Sequence, residues 1–249
     1  MALVERQIAV GLISGTGSTF LELYKATQGK SEHGSLDHTE MAAVISNHPE
    51  KSFDIFKKSD FPWDRYLIMR PQDYRTPEEY GEAIIRIAKR FGADIIGQWG
   101  HTPKTSANVI AEFPQKMINQ HPGPIDPSPY DFGGKGMSSA ERVHAARLQF
   151  VMDTNRNWWT DVVAQRVAAS FDGGRVLKRE RVLVRPDDTP EALGDRAKPF
   201  EYRAQIGVLH DFEEGTVVEL PPYPDLVLPS ERLLLQKIKD FVRHHYKAD

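Results

Sequence analysis

The chain has 249 residues, of which 40% are hydrophobic and 27% charged, and its formal net charge at pH 7 is −3. This composition is that of a globular protein with a sizeable core, and the mixed, near-neutral charge argues against nucleic-acid binding through a basic face. Because the sequence contains no cysteine, disulfides, thiolate metal sites and a cysteine nucleophile are excluded.

Apolar stretches are short throughout the sequence. None approaches the roughly 18 residues that cross a membrane, and the apolar run that ends at Ile13 is shorter than the core of a signal peptide. We therefore expect a cytoplasmic protein that does not bind a membrane.

The first half of the chain alternates between strand-like runs and segments with helical spacing. Strands are predicted at 8–13, 42–45, 66–69, 94–99 and 116–120. The signal Thr76-Pro77-Glu78-Glu79 opens the clearest helix, which Gly92 ends. This alternation predicts an α/β fold with a twisted, mostly parallel sheet flanked by helices, in which ligands bind beyond the carboxyl ends of the strands.

The second half begins with a segment, 121–137, that is too rich in proline and glycine for a regular element. After it we predict a helix over 138–148, strands over 161–170 and 175–184, and a helix that opens at Asp188-Thr189-Pro190-Glu191. A last amphipathic helix is predicted over 229–247, with an apolar side formed by Leu233, Leu234, Ile238 and Phe241. We expect one main domain over 1–211 and an extension over 212–249 that packs on the same domain.

The small residues Ser14-Gly15-Thr16-Gly17-Ser18-Thr19 connect the first predicted strand to the first helix. Such a turn brings backbone N–H groups and the positive end of the helix to one point, which suits a phosphate. The loop lacks the Gly-Lys-Ser/Thr ending of a Walker motif, and Phe20 occupies the third glycine position of a dinucleotide fingerprint. A plain strand-to-helix turn with Ser18 as the helix N-cap is the alternative interpretation.

Asn119 and His121 lie two residues apart at the end of a predicted strand, so their side chains point to the same face. An amide donor beside an imidazole suits the stabilisation of an oxyanion and proton transfer. Asp172, which precedes two glycines, is either a turn residue or a carboxylate that orients His121, and the sequence leaves both interpretations open. The histidines lack the spacing of metal ligands, so we expect no metal.

Six segments occur in the order known from one protein family: IAVGLISGTGSTFLEL, AAVISN, GADII, INQHP, FDGGRVL and DDTPEALGDRAKPFEY. In these segments the chain resembles the folate-dependent formyltransferases, and among them the glycinamide ribonucleotide formyltransferases of purine synthesis. The resemblance covers 7–211, which would be the formyltransferase catalytic domain. It implies a three-layer, Rossmann-like formyltransferase fold.

The resemblance also implies roles for individual residues. The catalytic amide, imidazole and carboxylate would be Asn119, His121 and Asp172. The loop that holds the substrate phosphate would comprise Gly15, Thr16, Gly17, Ser18 and Thr19, with Thr19 in place of the usual asparagine. The ribose side of the substrate would be contacted by Lys198 and Glu201, and the folate pocket would be lined by Trp99, Gly100, His101 and Thr102.

The activity that the resemblance implies is transfer of a formyl group from 10-formyl-tetrahydrofolate, a co-substrate, to the amine of a phosphorylated small molecule. Glycinamide ribonucleotide is the first expected acceptor. The sequence departs from the family at His101, in the folate-facing segment, and at Gln165, which replaces an imidazole. The alternatives are a formyltransferase for another amine such as an amino-sugar nucleotide, a formyl-folate hydrolase, and a non-catalytic phosphoribosyl- or folate-binding module. The C-terminal helix could be a homodimer contact or a lid on the sheet.

Overall fold

The computed structural model of the protein describes residues 6–125, 132–134, 136–137, 139–222 and 226–246. Its strands are β1 (Gln7–Ile13), β2 (Thr39–Ser46), β3 (Tyr66–Ile68), β4 (Ile95–Gln98), β5 (Met117–His121), β6 (Trp159–Arg166) and β7 (Val176–Leu183). Its helices are α1 (Ser18–Thr27), α2 (Pro49–Lys57), α3 (Pro77–Arg90), α4 (Ala107–Glu112), α5 (Ala140–Thr154), α6 (Pro190–Glu213) and α7 (Arg232–His245).

All of these strands form one sheet in the order β3-β2-β1-β4-β5-β6-β7. The five strands from β3 to β5 run parallel to one another, whereas β6 is antiparallel to both β5 and β7. The predicted α/β fold with a mostly parallel sheet is therefore confirmed. Because β1 lies between β2 and β4, the loop that follows it opens at the middle of the sheet's carboxyl edge.

Helices cover both faces of the sheet and bury its apolar side chains. On one face, Ala9 and Ile13 of β1 share a cluster with α1 and α6. On the other, Val10 and Leu12 pack with α3 and α4. A central parallel strand has no face in water, which explains why β1 is apolar at almost every position.

Most predicted strand ends lie within two residues of the observed ones, and two differ by more. β2 starts at Thr39, three residues before the expected position, and β6 stops at Arg166 instead of 170. The early stop follows from the loop back to β7: a side chain at Gly174 would collide with the Arg166 carbonyl. This loop carries Asp172.

The helix predictions were right in kind and less accurate in extent. Thr76 and Thr189 cap α3 and α6 as expected, accepting hydrogen bonds from Glu79 N and Ala192 N respectively. α5 runs on to Thr154, six residues past the predicted end. The short helices α2 and α4 had no clear apolar period and were not predicted.

The apolar side assigned to α7 was right for Ile238, which is buried, and for Leu234, which packs beside it, but wrong for the other two residues. Leu233 and Phe241 are 67% and 52% exposed, while the buried side is formed by Leu235, Ile238, Lys239 and Val242. This side packs against α5 and against Phe132 and Met137. α7 therefore faces the segment that follows β5.

Candidate active site

A cavity of about 390 Å³ opens at the carboxyl ends of β1, β4 and β5. Every residue that the sequence singled out lines it: Gly15, Thr16, Gly17, Ser18, Thr19, Trp99, Gly100, His101, Thr102, Asn119, His121, Asp172, Lys198 and Glu201. Ligands bind at this edge in open α/β sheets. The volume suits a small-molecule site.

The loop after β1 leaves the start of α1 open to this cavity. Gly17 is the N-cap with a left-handed backbone (φ 74°), and no side chain of the described residues caps the helix. The interpretation of Ser18 as N-cap is therefore wrong. A Cβ at Gly17 would lie 2.5 Å from the Phe56 ring, whereas nothing lies within 4 Å of a Cβ at Gly15. The first N–H groups of α1 are thus available for an anion.

Asn119 and His121 lie within the last three residues of β5. Both line the cavity, as their spacing predicted. Asn119 pairs across the sheet with Gln98 of β4 and Gln165 of β6, so three amide side chains form a row on one face. His121 is buried, and its Nδ1 lies in hydrogen-bonding distance of Gly123, 2.9 Å from the carbonyl oxygen and 3.2 Å from the backbone nitrogen. This contact directs Nε2 toward Asp172.

Asp172 is brought to His121 by the loop between β6 and β7, where it has a left-handed backbone (φ 51°). Its Oδ2 lies 3.8 Å from His121 Nε2. Oδ1 accepts a hydrogen bond from Gln165 Nε2 (3.1 Å), and Oδ2 accepts one from Gly134 N (3.0 Å). The carboxylate is therefore held in one orientation beside the imidazole.

Lys198 and Glu201 reach the cavity from α6. Glu201 is buried, and its Oε2 accepts hydrogen bonds from Lys198 Nζ (2.7 Å) and Gln120 Nε2 (3.0 Å). The two donors leave Oε1 of the carboxylate to accept further hydrogen bonds. Such an acceptor suits a hydroxyl group of a ligand.

The predicted folate segment follows β4. Ser14 Oγ accepts hydrogen bonds from Thr102 N (2.9 Å) and Thr102 Oγ1 (3.1 Å), which fixes this segment to the loop after β1. Burial lowers the pKa of His101 to about 3, with a smaller contribution from His48. His101 Nδ1 has no hydrogen-bond partner among the described residues. His101 therefore places a neutral imidazole in the wall of the cavity.

Trp99 contributes to the cavity wall mainly as part of the framework. Its indole is 3% exposed, packs near Phe20 with ring centroids 5.9 Å apart, and donates from Nε1 to Gln205 Oε1 (3.1 Å). Glycine at 97 makes room for the ring, which a Cβ there would strike. The indole therefore supports the floor of the cavity from the core side.

Three contributors to this site were not identified as site residues from the sequence. Gln165 and Gly134 hold Asp172, and Gln120 holds Glu201. Gln165 stood out only as a replacement for an imidazole. Gly134 belongs to a glycine-rich segment whose path no pattern specifies, and Gln120 pointed to no partner in the sequence.

Two further observations concern partners. In the described ranges, no cluster of three or more histidine, aspartate or glutamate side chains is arranged to hold a metal ion. Among the helices of the same residues, none combines the length and apolar character needed to cross a membrane.

The sequence model of the family described as Formyl transferase matches residues 6–209. The chain belongs to the formyl transferase family. This family member is 28% identical over 207 residues to the trifunctional purine biosynthetic protein adenosine-3 of Bos taurus, a match that covers 83% of the chain and 18% of that relative. The chain thus corresponds to less than a fifth of the length of the trifunctional protein.

Solved structures share the fold of this formyl transferase family member. A phosphoribosylglycinamide formyltransferase from Brucella melitensis is similar with a TM-score of 0.67 and 23% identity, covering 87% of this chain and 100% of that chain. A formyltetrahydrofolate deformylase from Pseudomonas syringae pv. tomato str. DC3000 gives a TM-score of 0.61 and 18% identity, covering 83% of this chain and 62% of that chain. Both similarities concern the fold.

Proposed function

We propose that the protein transfers a formyl group from 10-formyl-tetrahydrofolate to the primary amine of a phosphorylated acceptor, with glycinamide ribonucleotide as the first candidate. The single observation that carries the proposal is the meeting of Asn119, His121 and Asp172 in one cavity with an open helix N-terminus. Family membership and the similarity to a purine biosynthetic protein support the same reaction.

The loop from Gly15 to Thr19 would hold the phosphate of the acceptor. Backbone N–H groups at the start of α1 and the positive end of the helix dipole favour an anion there. Glu201 on α6 would accept hydrogen bonds from ribose hydroxyls, with Lys198 holding its carboxylate. Binding energy from these remote contacts would position the amine at the reacting carbon.

The reaction centre would lie between Asn119 and His121. The acceptor amine attacks the formyl carbon, a new C–N bond forms, and the carbonyl oxygen becomes an oxyanion. The Asn119 amide and a protonated His121 would stabilise that oxyanion by hydrogen bonding. The bond to folate N10 then breaks, and the amine proton moves to N10 with Asp172 assisting through the imidazole or water.

The folate would lie along the segment from Gly100 to Thr102, with Trp99 supporting the floor of the pocket. Gly100 has φ 81° and nothing within 4 Å of the position of a Cβ, so a planar ring can approach the backbone there. His101 also lines this part of the cavity, and its imidazole, kept neutral by burial, would lie beside the ligand without adding a charge. The residues present therefore fit a flat, polar heterocycle.

The proposal is tested with purified protein, 10-formyl-tetrahydrofolate and three conditions: glycinamide ribonucleotide, an amino-sugar nucleotide, or no acceptor. We expect formylated glycinamide ribonucleotide and little formate without an acceptor. His121→Ala and Asp172→Asn should each lower kcat by about 10²–10³-fold. The exposed residues His210 and Asp195 provide matched controls, His210→Ala and Asp195→Asn, which should keep wild-type rates.

Each other outcome identifies an alternative. Transfer to the amino sugar alone would change the acceptor, and formate release without any amine would make the protein a hydrolase. Thermal stabilisation by the ligands without turnover would make it a binding module; a ligand at 100 times its Kd raises the free energy of unfolding by about 2.7 kcal/mol. Wild-type rates in His121→Ala would contradict the proposed chemistry.

We further propose that 1–211 is the catalytic domain and that 212–249 is an extension of the same domain in a cytoplasmic protein. The packing of α7 on α5 supports the extension. Whether the exposed Leu233 and Phe241 side of α7 pairs with a second copy is testable by sedimentation of the wild type and Phe241→Ser.

A further inference from the structure

A buried lysine connects α7 to the active site. Lys239 is 8% exposed, and its Nζ donates a 2.6 Å hydrogen bond to the carbonyl oxygen of Gly133. Burying an ammonium group is costly unless hydrogen-bond acceptors surround it, so a lysine at this position indicates a specific contact. Lys239 lies beyond residues 6–209, the part of the chain that matches the family.

The segment that Lys239 holds lies against the catalytic pair. A Cβ at Gly133 would collide with His121 Nε2 and would lie 2.7 Å from Asp172 Oδ2. The next residue, Gly134, donates its N–H to the same Asp172 oxygen at 3.0 Å. Only glycine permits this close approach, and the position of these two residues therefore determines where the Asp172 carboxylate sits.

A second contact fixes α7 to the same segment. The guanidinium of Arg142, on α5, donates to the carbonyl of Gly136 (2.8 Å) and to the carbonyls of Tyr246 (2.7 Å) and Arg243 (3.1 Å). Below these bonds, Phe132 and Met137 pack with the buried side of α7. The segment around Gly133 and Gly134 is thus held by apolar contacts, by Arg142 and by Lys239.

We propose that α7 is a structural part of the active site and that Lys239 is a positioning residue for the His121–Asp172 pair. Lys239 fixes the Gly133 carbonyl, the Gly134 N–H then fixes Asp172, and Asp172 faces the imidazole. For its effect on turnover, the inference rests on the proposed formyl transfer. The contact chain itself is independent of that activity.

The test uses the full-length protein and three variants. Lys239→Met removes the ammonium, Lys239→Arg keeps a cationic donor, and Lys237→Met is the matched control because Lys237 is exposed on the same helix. Two quantities are measured: hydrogen exchange of the Gly134 amide by NMR, and kcat and acceptor KM for formyl transfer.

We expect Lys239→Met to speed Gly134 exchange and to lower kcat, each by about tenfold, while acceptor KM changes less than twofold. Lys239→Arg should recover most of both losses, and Lys237→Met should match the wild type. If Lys239→Met only reduced the amount of folded protein, exchange would speed up at amides throughout the chain and not selectively at Gly134. Lys239→Arg would then not recover the lost kcat. If Lys239→Met does not fold, Lys239→Gln, whose shorter side chain falls short of Gly133, replaces it.

Unchanged Gly134 exchange and unchanged kcat in a folded Lys239 variant would overturn the inference. If wild-type protein transfers no formyl group, the proposed function fails, and the Gly134 exchange rates still decide whether Lys239 holds the segment. Faster exchange with unchanged kcat would also overturn it, since the segment would then be irrelevant to the reacting groups.

Discussion

At the scale of single residues, the orientation of Asp172 depends on neutral donors. Gln165 is 1% exposed and donates to Oδ1, while a backbone N–H donates to Oδ2. The resemblance implied an imidazole at the position of Gln165. An amide keeps its donor at every pH, so this support for the carboxylate does not titrate.

The substitution Gln165→Met should therefore lower kcat by about tenfold, because a partly buried carboxylate loses a hydrogen bond whose free energy is about 1.5–3 kcal/mol. Acceptor KM should change little, since the loop from Gly15 to Thr19 is untouched. Gln149 is a matched control: it is exposed on α5 and also bonds an aspartate, Asp153, at 2.8 Å. Steady-state kinetics of Gln165→Met and Gln149→Met make the comparison, and a kcat for Gln165→Met within twofold of wild type would contradict it.

At the scale of elements, the turn from β1 into α1 contains two glycines, Gly15 and Gly17, that are needed for different reasons. Gly17 has a left-handed backbone and a space filled by Phe56, whereas Gly15 borders open space at the cavity. Gly17 is therefore the glycine that the fold needs, and Gly15 is the one that a ligand would meet.

Gly17→Ala should lower the free energy of unfolding by about 2 kcal/mol or more, from left-handed strain plus the collision with Phe56. Gly15→Ala should change it by less than about 0.5 kcal/mol, because the new methyl group meets no protein atom. The same methyl group should raise acceptor KM about tenfold if it enters the phosphate space. Urea denaturation and kinetics of the two variants measure both effects; an unchanged KM in Gly15→Ala would argue against phosphate binding at this loop.

The elements differ in how well the sequence predicted them. β1 and α3 were predictable because local signals, a continuous apolar run and a Thr-Pro-Glu-Glu start, agree with their place in the sheet. The buried side of α7 was harder to predict, because its exposed side carries Leu233 and Phe241 while a lysine lies on its buried side. Apolar periodicity assigns lysine to water, whereas the carbonyl of Gly133, distant in sequence, gives this lysine a buried hydrogen-bond acceptor.

At the scale of the whole molecule, the mostly parallel sheet and the convergence of the site at its carboxyl edge followed from the α/β pattern together with the family resemblance, whereas the strand order came only from the structure. Asn119 and His121 were placed correctly by the two-residue period of a strand. The contacts of Asp172 could not be predicted from the sequence. They depend on the backbone path of two loops, at Gly134 and at residues 167–175, and no periodicity encodes that path.

The stability of the whole molecule should depend on pH through His144. Burial, with smaller contributions from the charges of His121 and Lys198, lowers the pKa of His144 from 6.5 to about 4. The folded state therefore binds fewer protons than the unfolded state between these values, and stability falls as pH drops from 6.5 toward 4. His144→Gln should remove about 3 kcal/mol of the loss between pH 7 and pH 4.

Urea denaturation at a series of pH values, for wild type, His144→Gln and the exposed control His210→Gln, measures this dependence. Only His144→Gln should flatten the curve. Parallel curves for wild type and His144→Gln would show that the imidazole is protonated in the folded protein, contrary to its burial.

The contact between Lys239 and Gly133 also has a consequence for biosynthesis. The two residues are 106 positions apart, which at about 5–20 residues per second corresponds to roughly 5–20 s of translation. A nascent chain can pair all of its strands before α7 leaves the ribosome, yet the loop beside the reacting groups then lacks its support. The sheet would form first and the support of the loop beside Asp172 last, so that a chain still lacking α7 would have its cavity but not the full positioning of Asp172.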